Sequence, residues 1–344
     1  MAYGSDVTVY VEDTAGDLGA PGSPAPWWLS PDVDIPAHPG TAVQGPNDVR
    51  IRVHTQEEPI LEEKIVAEVY AGDPSLVLSP TTGTQRIDPG NLRFRPPNVA
   101  GSEPVADQAG GVLTFSWTPA SSATSPAGPG HRCLVLRAFP ESVTPPSSPF
   151  DVPNEQHEAQ HNIDVLETTT KEGSMGKGGA GSKEDPRRRL PKGLWWERVL
   201  TTAIKRRGRR IVVWAYDPSP ARPIVGGIRK SIPRDRLTGF SKQPPQTVEL
   251  DLGKTRGEGL DPASLFERGG FAKRAGLGDG LFAQDRVVAA AAVDLGPRTL
   301  SRLLLRFDHS NLKERTAVVL HGAQWTEDGT AEGGITIVAL APVK

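Results

Sequence analysis

Short β-prone runs alternate with stretches dense in proline and glycine through the N-terminal half of this chain, and no other feature constrains the fold as much. Each proline removes a ladder hydrogen bond, so these stretches lie outside central strands. Asp6 to Glu12 alternates, with Val7, Val9 and Val11 on one face and Thr8 and Tyr10 on the other. Val49 to Val53 does the same, with Arg50 and Arg52 facing out. Ile65 to Ala71, Val112 to Trp117, Arg132 to Phe139 and His161 to Thr169 are further candidate strands. Between them lie the turn-rich stretches Gly16 to Pro26, Ile35 to Asn47, Gly72 to Gly90 and Arg95 to Gly110. Short strands with almost no helical periodicity read as an antiparallel sandwich. The 37 Gly and 33 Pro in 344 residues fit short strands joined by long turns and stop short of a disordered composition.

A break runs from Thr170 to Lys192, through GSMGKGGAGSK and EDPRRRLPK. It is low in apolar residues and reads as a linker or exposed loop. Leu194 to Ala203 and Arg210 to Tyr216 then read as a β-hairpin with the charged turn KRRGRR at its tip. Further strands are expected at Thr247 to Leu252, Arg286 to Val293, Leu300 to Asp308, Thr316 to Leu320 and Gly334 to Leu340. Asp261 to Arg274 differs. Asp261 is placed as an N-cap with Pro262 at the first helical position, which predicts one short helix broken near Gly269 and Gly270.

Net charge is -2, so the whole molecule has no general attraction to nucleic acid or anionic membrane. The single cysteine, Cys133, has no internal partner, which points to a reducing compartment. Met1 to Val11 lacks the basic and apolar regions of a signal peptide. The longest apolar run, Val287 to Leu295, is interrupted at Asp294 and falls short of the ~20 residues that span a bilayer. The expectation is a soluble protein, cytoplasmic by default, with release or non-classical export left open.

TFSWTP (Thr114 to Pro119), GHRCLVLRAF (Gly130 to Phe139) and NEQHEAQHNIDVL (Asn154 to Leu166) follow a recognisable pattern. Together they resemble the closing strands of bacterial immunoglobulin-like domains of the cell-adhesion-related type. WWLSPDVDI (Trp27 to Ile35) resembles that family's Ser-Pro-Asp-Ile opening segment. The resemblance covers about residues 27 to 166, with departures between Gly72 and Gly110. It implies an immunoglobulin-like sandwich without catalytic residues, of a kind that serves as an adhesion, spacer or packing module. AVVLHGAQWTEDGTAEGGITIVAL (Ala317 to Leu340) is similar to the closing hairpin of other bacterial sandwich domains.

Several motifs carry possible chemistry. His157-Glu158-Ala159-Gln160-His161 satisfies HExxH, in which a helix presents both imidazoles to zinc and the Glu activates water. Pro153 and Asn154 before it and the β-prone run after it argue against that helix, and no third ligand follows at the extended-motif spacing. Gly176 to Lys183 lacks the Gly-Lys-Ser/Thr order of a phosphate loop and reads as a linker. Asp32, Asp34, Asp73 and Asp88 sit in turns beside prolines, where calcium has ligands available but no DxDxDG spacing supports it. Trp27 and Trp28 form a candidate sugar-stacking pair. Cys133 reads as a small apolar filler in a buried run. Arg187, Arg188, Arg189, Arg206, Arg207, Arg209 and Arg210 form a basic cluster. A solvated turn or a subunit interface, facing acidic segments such as Glu57-Glu58 and Glu62-Glu63, is favoured over nucleic acid.

The expectation is therefore an all-β protein with two antiparallel, immunoglobulin-like sandwiches over residues 1–169 and 193–344, joined by a basic linker at 170–192, with one short helix in the second. No cofactor is expected. The leading function is a non-enzymatic structural or interaction subunit whose partners are itself or other proteins. The alternatives are a zinc hydrolase through His157, Glu158 and His161, and a carbohydrate or cell-surface module through Trp27 and Trp28.

Overall fold

A computed structural model of the chain describes residues 9–13, 27–36, 41–42, 46–55, 64–72, 77–81, 84–90, 92–94, 112–118, 130–131, 133–147, 150–167, 194–201, 207–215, 241–242, 248–267, 270–278, 282–295, 300–307 and 316–340. The Thr170 to Lys192 stretch, Arg206 and Asp73 lie outside them. Among the described residues no helix is long and apolar enough to cross a membrane.

The first half contributes β1 (Val9–Tyr10), β2 (Val33–Asp34), β3 (Thr41–Ala42), β4 (Asn47–Arg52), β5 (His54–Thr55), β6 (Ile65–Gly72), β7 (Thr84–Arg86), β8 (Arg93–Phe94), β9 (Val112–Trp117), β10 (Gly130–His131), β11 (Cys133–Pro140), β12 (Glu158–His161) and β13 (Ile163–Glu167). The second contributes β14 (Leu194–Thr201), β15 (Arg207–Ala215), β16 (Ser241–Lys242), β17 (Val248–Asp251), β18 (Arg256–Leu260), β19 (Val287–Leu295), β20 (Leu300–Phe307), β21 (Thr316–Thr326) and β22 (Ala331–Leu340). A 3-10 turn at Pro262–Phe266 precedes α1 (Phe271–Arg274). The Asp261 carboxylate accepts from the Ala263 backbone N–H at 3.0 Å, as its N-cap position predicts. The fold is nearly all β, as the punctuated sequence predicts.

Four sheets stack in order. The outermost of the first half is β2-β4-β9; next comes β12-β11-β6-β7, with β8 also on β6. Val49 and Ile51 of β4 point inward with no exposure while Arg50 faces out, as the alternation predicts. They meet Val69 and Ala71 of β6 and Leu134 and Leu136 of β11, which makes an antiparallel two-sheet sandwich. Strands β6 and β11 are buried along their whole length. Their other faces, through Tyr70, Cys133 and Val135, pack against Val212 and Trp214 of β15 and Val319 and Ala323 of β21. These belong to the largest sheet, β13-β22-β21-β15-β19-β18 with β16 on β21. Its far face, through Ile211, Val213 and Leu320, packs on Leu305 and Leu250 of the fourth sheet, β14-β20-β17. Unbroken apolar runs such as LVL in β11 and IVVWA in β15 reflect this burial on both faces.

Three local expectations are corrected. Leu194–Thr201 and Arg207–Ala215 do not form a hairpin: β14 pairs with β20, and β15 pairs with β19 and β21 in a different sheet. Ile211 and Val213 need one buried face and Val212 and Trp214 another, which only a central strand provides. The single strand expected from His161 to Thr169 is split at Asn162, where the chain leaves the first half's sheet and β13 pairs in parallel with β22. Arg256–Leu260, which carries no apolar alternation, forms the edge strand β18 beside β19.

Candidate functional site

The residues with the most chemical potential converge where the two halves meet. Trp28 Nε1–H donates to Thr336 Oγ1 at 2.8 Å, and His321 Nδ1 lies 2.9 Å from the same hydroxyl. The Gly334 carbonyl accepts from Asn162 Nδ2 at 2.8 Å and from Gln160 Nε2 at 3.3 Å. Asn162 N–H donates to the Trp28 carbonyl at 2.8 Å, and Thr336 N–H donates to the Asn162 carbonyl at 3.1 Å. The segments WWLS, HEAQHN and GGIT are thus laced together by main-chain and side-chain bonds. Gly334 is required by close approach: a Cβ there would lie 2.1 Å from Trp28 Cε3.

An aromatic cluster fills the space beside these bonds. Trp27 meets Trp28 edge-on at 4.8 Å between centroids, and Trp214 meets Trp325 at 5.4 Å. Phe271 of α1 and Phe282 close the cluster against Trp325. Trp27 and Trp28 are 3% and 0% exposed, so neither offers the open ring face that sugar stacking needs, and the sugar-platform reading is corrected. Their apolar area holds the halves together instead.

The zinc-hydrolase reading fails on geometry. Glu158 to His161 is strand β12, not helix. Positions four apart on a strand are about 13 Å apart along it, too far for one ion. His157 Nδ1 lies 2.7 Å from Glu155 Oε1. His161 Nδ1 lies 2.9 Å from the Ser30 carbonyl, and Glu158 Oε2 accepts from the Asp151 N–H at 2.6 Å. Burial pushes the His161 imidazole below its ordinary pKa, outweighing the Ser30 carbonyl and Asp34, which raise it.

Of the basic cluster, Arg187, Arg188, Arg189 and Arg206 lie outside the described residues. Arg207, Arg209 and Arg210 lie within strand β15 rather than at a turn, which corrects the solvated-tip expectation. Arg209 is 2% exposed; its Nε donates to Glu332 Oε2 at 2.5 Å, and Gln324 Nε2 donates to the same oxygen at 2.7 Å. Arg210 lies nearer the surface, 3.7 Å from Glu327 Oε1. A second network, buried except at the exposed Arg86, joins Arg137, Glu68, Tyr70 and Arg86. Arg137 reaches Glu68 at 2.5 Å and the Tyr70 hydroxyl at 2.9 Å, and Arg86 reaches Glu68 at 2.6 Å. Burial pushes the Tyr70 hydroxyl up to about 12, with Glu68 adding to the shift and Arg137 opposing it.

The aspartates differ in their surroundings. Asp34 pairs with Arg50, and Asp88 pairs with Arg86 and accepts from Val69 N–H. Asp32 is buried beside His54 and Glu12, and these three ligand groups lie within 4.8 Å of one another. Sequence reasoning singled out Asp32 but missed His54 and Glu12. It also missed Asn162, Thr336 and Gly334, which become visible only once the strands are paired.

No family model and no curated protein matches the chain. Among solved structures, a Corynebacterium diphtheriae protein described as membrane anchored aligns with 89% of this chain at 9% identity and a TM-score of 0.23. The chain spans 58% of that protein's length. The collagen adhesin of S. aureus aligns with 87% of this chain and 89% of its own, at 8% identity and a TM-score of 0.21. At these values neither likeness bears on function.

Proposed function

We propose that this chain is a non-enzymatic structural or interaction protein that works as a subunit of a homo-oligomeric or larger assembly. One observation carries the reading: the residues that suggested catalysis or sugar binding are engaged inside the fold. His157, Glu158, His161, Trp27 and Trp28 are all buried, and Trp27 and Trp28 lie in the apolar core shared by the two halves. Among the described residues, the outer sheets of the stack are β2-β4-β9 and β14-β20-β17, and their far faces are the proposed partner surfaces. Among the described residues, edge strand β18 pairs on one side only, with β19, and is exposed from Arg256 to Gly259, with Arg256 and Glu258 as charged guards. The basic run Arg187 to Arg189, facing acidic segments such as Glu57-Glu58 on a neighbour, supplies charge pairing.

Light scattering after gel filtration, with negative-stain images of the same fractions, tests the proposal on untagged protein. A defined oligomer, tube or lattice that dissociates when Arg187, Arg188 and Arg189 are changed to Ser supports it. A monomer that persists at high concentration overturns it.

A further inference from the structure

The end of β1, the turn before β2 and the start of β5 bring together Glu12, Asp32 and His54, from positions far apart in sequence. Asp32 is the centre. Its side chain is fully buried, and Oδ2 takes the Glu12 backbone N–H at 2.7 Å and faces His54 Nε2 at 2.8 Å. Among the described residues its other oxygen, Oδ1, is buried without a hydrogen-bond partner. A half-satisfied carboxylate in that position is costly unless a cation or donor meets it. Ser30 Oγ accepts from Asp32 N–H at 3.0 Å and donates to the Glu12 carbonyl, so the backbone around the carboxylate is fixed. Tyr10 stacks on the His54 ring at 4.9 Å and 16°, which fixes the imidazole plane.

We propose that Glu12, Asp32 and His54 form a binding site for one divalent transition-metal ion, with zinc as its representative. The donor set carries the assignment. Two carboxylates neutralise a divalent charge, and one imidazole selects a first-row transition ion over calcium or magnesium, which prefer all-oxygen ligands. The imidazole edge is reachable: the His54 side chain is 23% exposed while Asp32 is closed off. The ion would enter from the His54 side and clamp the first strand to the β2–β4 edge of the outer sheet.

The test is calorimetric titration of chelator-treated, full-length protein with zinc chloride, repeated on His54→Gln and Asp32→Asn. The expected result is one zinc per chain, with affinity lowered roughly tenfold or more in each variant. His54→Gln is the informative change if Asp32→Asn fails to fold, because His54 lies at the rim. A zinc-dependent rise in melting temperature, absent from His54→Gln, is expected in parallel. No zinc uptake overturns the proposal, as does uptake undiminished in His54→Gln. Calcium held in preference to zinc at these residues overturns the choice of ion.

Discussion

Trp28 donates its indole N–H to the Thr336 hydroxyl across 308 positions of sequence, at 2.8 Å, with both residues fully buried. This bond passes from the first sandwich into the central sheet of the second, beside a glycine with no room for a methyl group.

Gly334→Ala should therefore destabilise the protein by about 1–3 kcal/mol or more, because the atom in the way belongs to a rigid, buried ring rather than a flexible side-chain end. Urea unfolding measures it. A midpoint unchanged from the parent would show that the seam is looser than its contacts indicate.

Arg209→Met should lower stability while leaving assembly size unaltered, since its guanidinium neutralises the Glu332 carboxylate inside the chain. Removing one partner of a buried pair costs about 3–5 kcal/mol, and the Gln324 bond to Glu332 places the loss at the lower end. Thermal melts and light scattering on the same sample separate the two effects.

Tyr70 sets an alkaline limit. An unfolded tyrosine ionises near pH ~10. Burial holds Tyr70 up to about 12, so above pH ~10 the unfolded chain releases this proton first. Stability is intact below that value and falls as pH rises through the window, by about 2–3 kcal/mol in total. Tyr70→Phe should flatten this part of the urea-midpoint profile.

His161 acts at the other end of the scale. Its folded pKa is depressed by burial, so on acidification the unfolded state takes up the proton first. Stability should be intact above pH ~6.5 and decline as pH falls below it. His161→Gln should reduce the slope; a parent protein with a flat profile from pH ~7 to pH ~5 would contradict the buried placement.

The strands were legible where one rule governed them. Val49 and Ile51 alternate with Arg50 because β4 has one wet face, and their inward placement follows from period two alone. The Asp261-Pro262 start of the short helical segment was equally local. Pairing was not legible. Leu194 to Thr201 and Arg207 to Ala215 have the composition of a hairpin, yet β15 is needed at the centre of a sheet with apolar layers on both sides. Nothing within either segment states how many layers the molecule has. HExxH was readable for a related reason: the pattern specifies side chains four apart, whereas the chemistry depends on a helix, which Pro153, Asn154 and the β-prone run argue against and strand β12 replaces. Trp27 and Trp28 were seen as aromatic without their depth. The Glu12, Asp32 and His54 group has no linear signature, since its members come from separate strands and turns.

The parallel pairing of β13 with β22 joins residues about 170 positions apart, and the outer face of the first sandwich's inner sheet is covered by the same distant sheet. On a ribosome adding roughly 5–20 residues per second, the interval between the two strands is on the order of ten to thirty seconds. During that time Trp27, Trp28, Tyr70 and Val135 have their final neighbours still unmade. The first sandwich is thus born with one greasy side, left without its cover until residues 331–340 emerge.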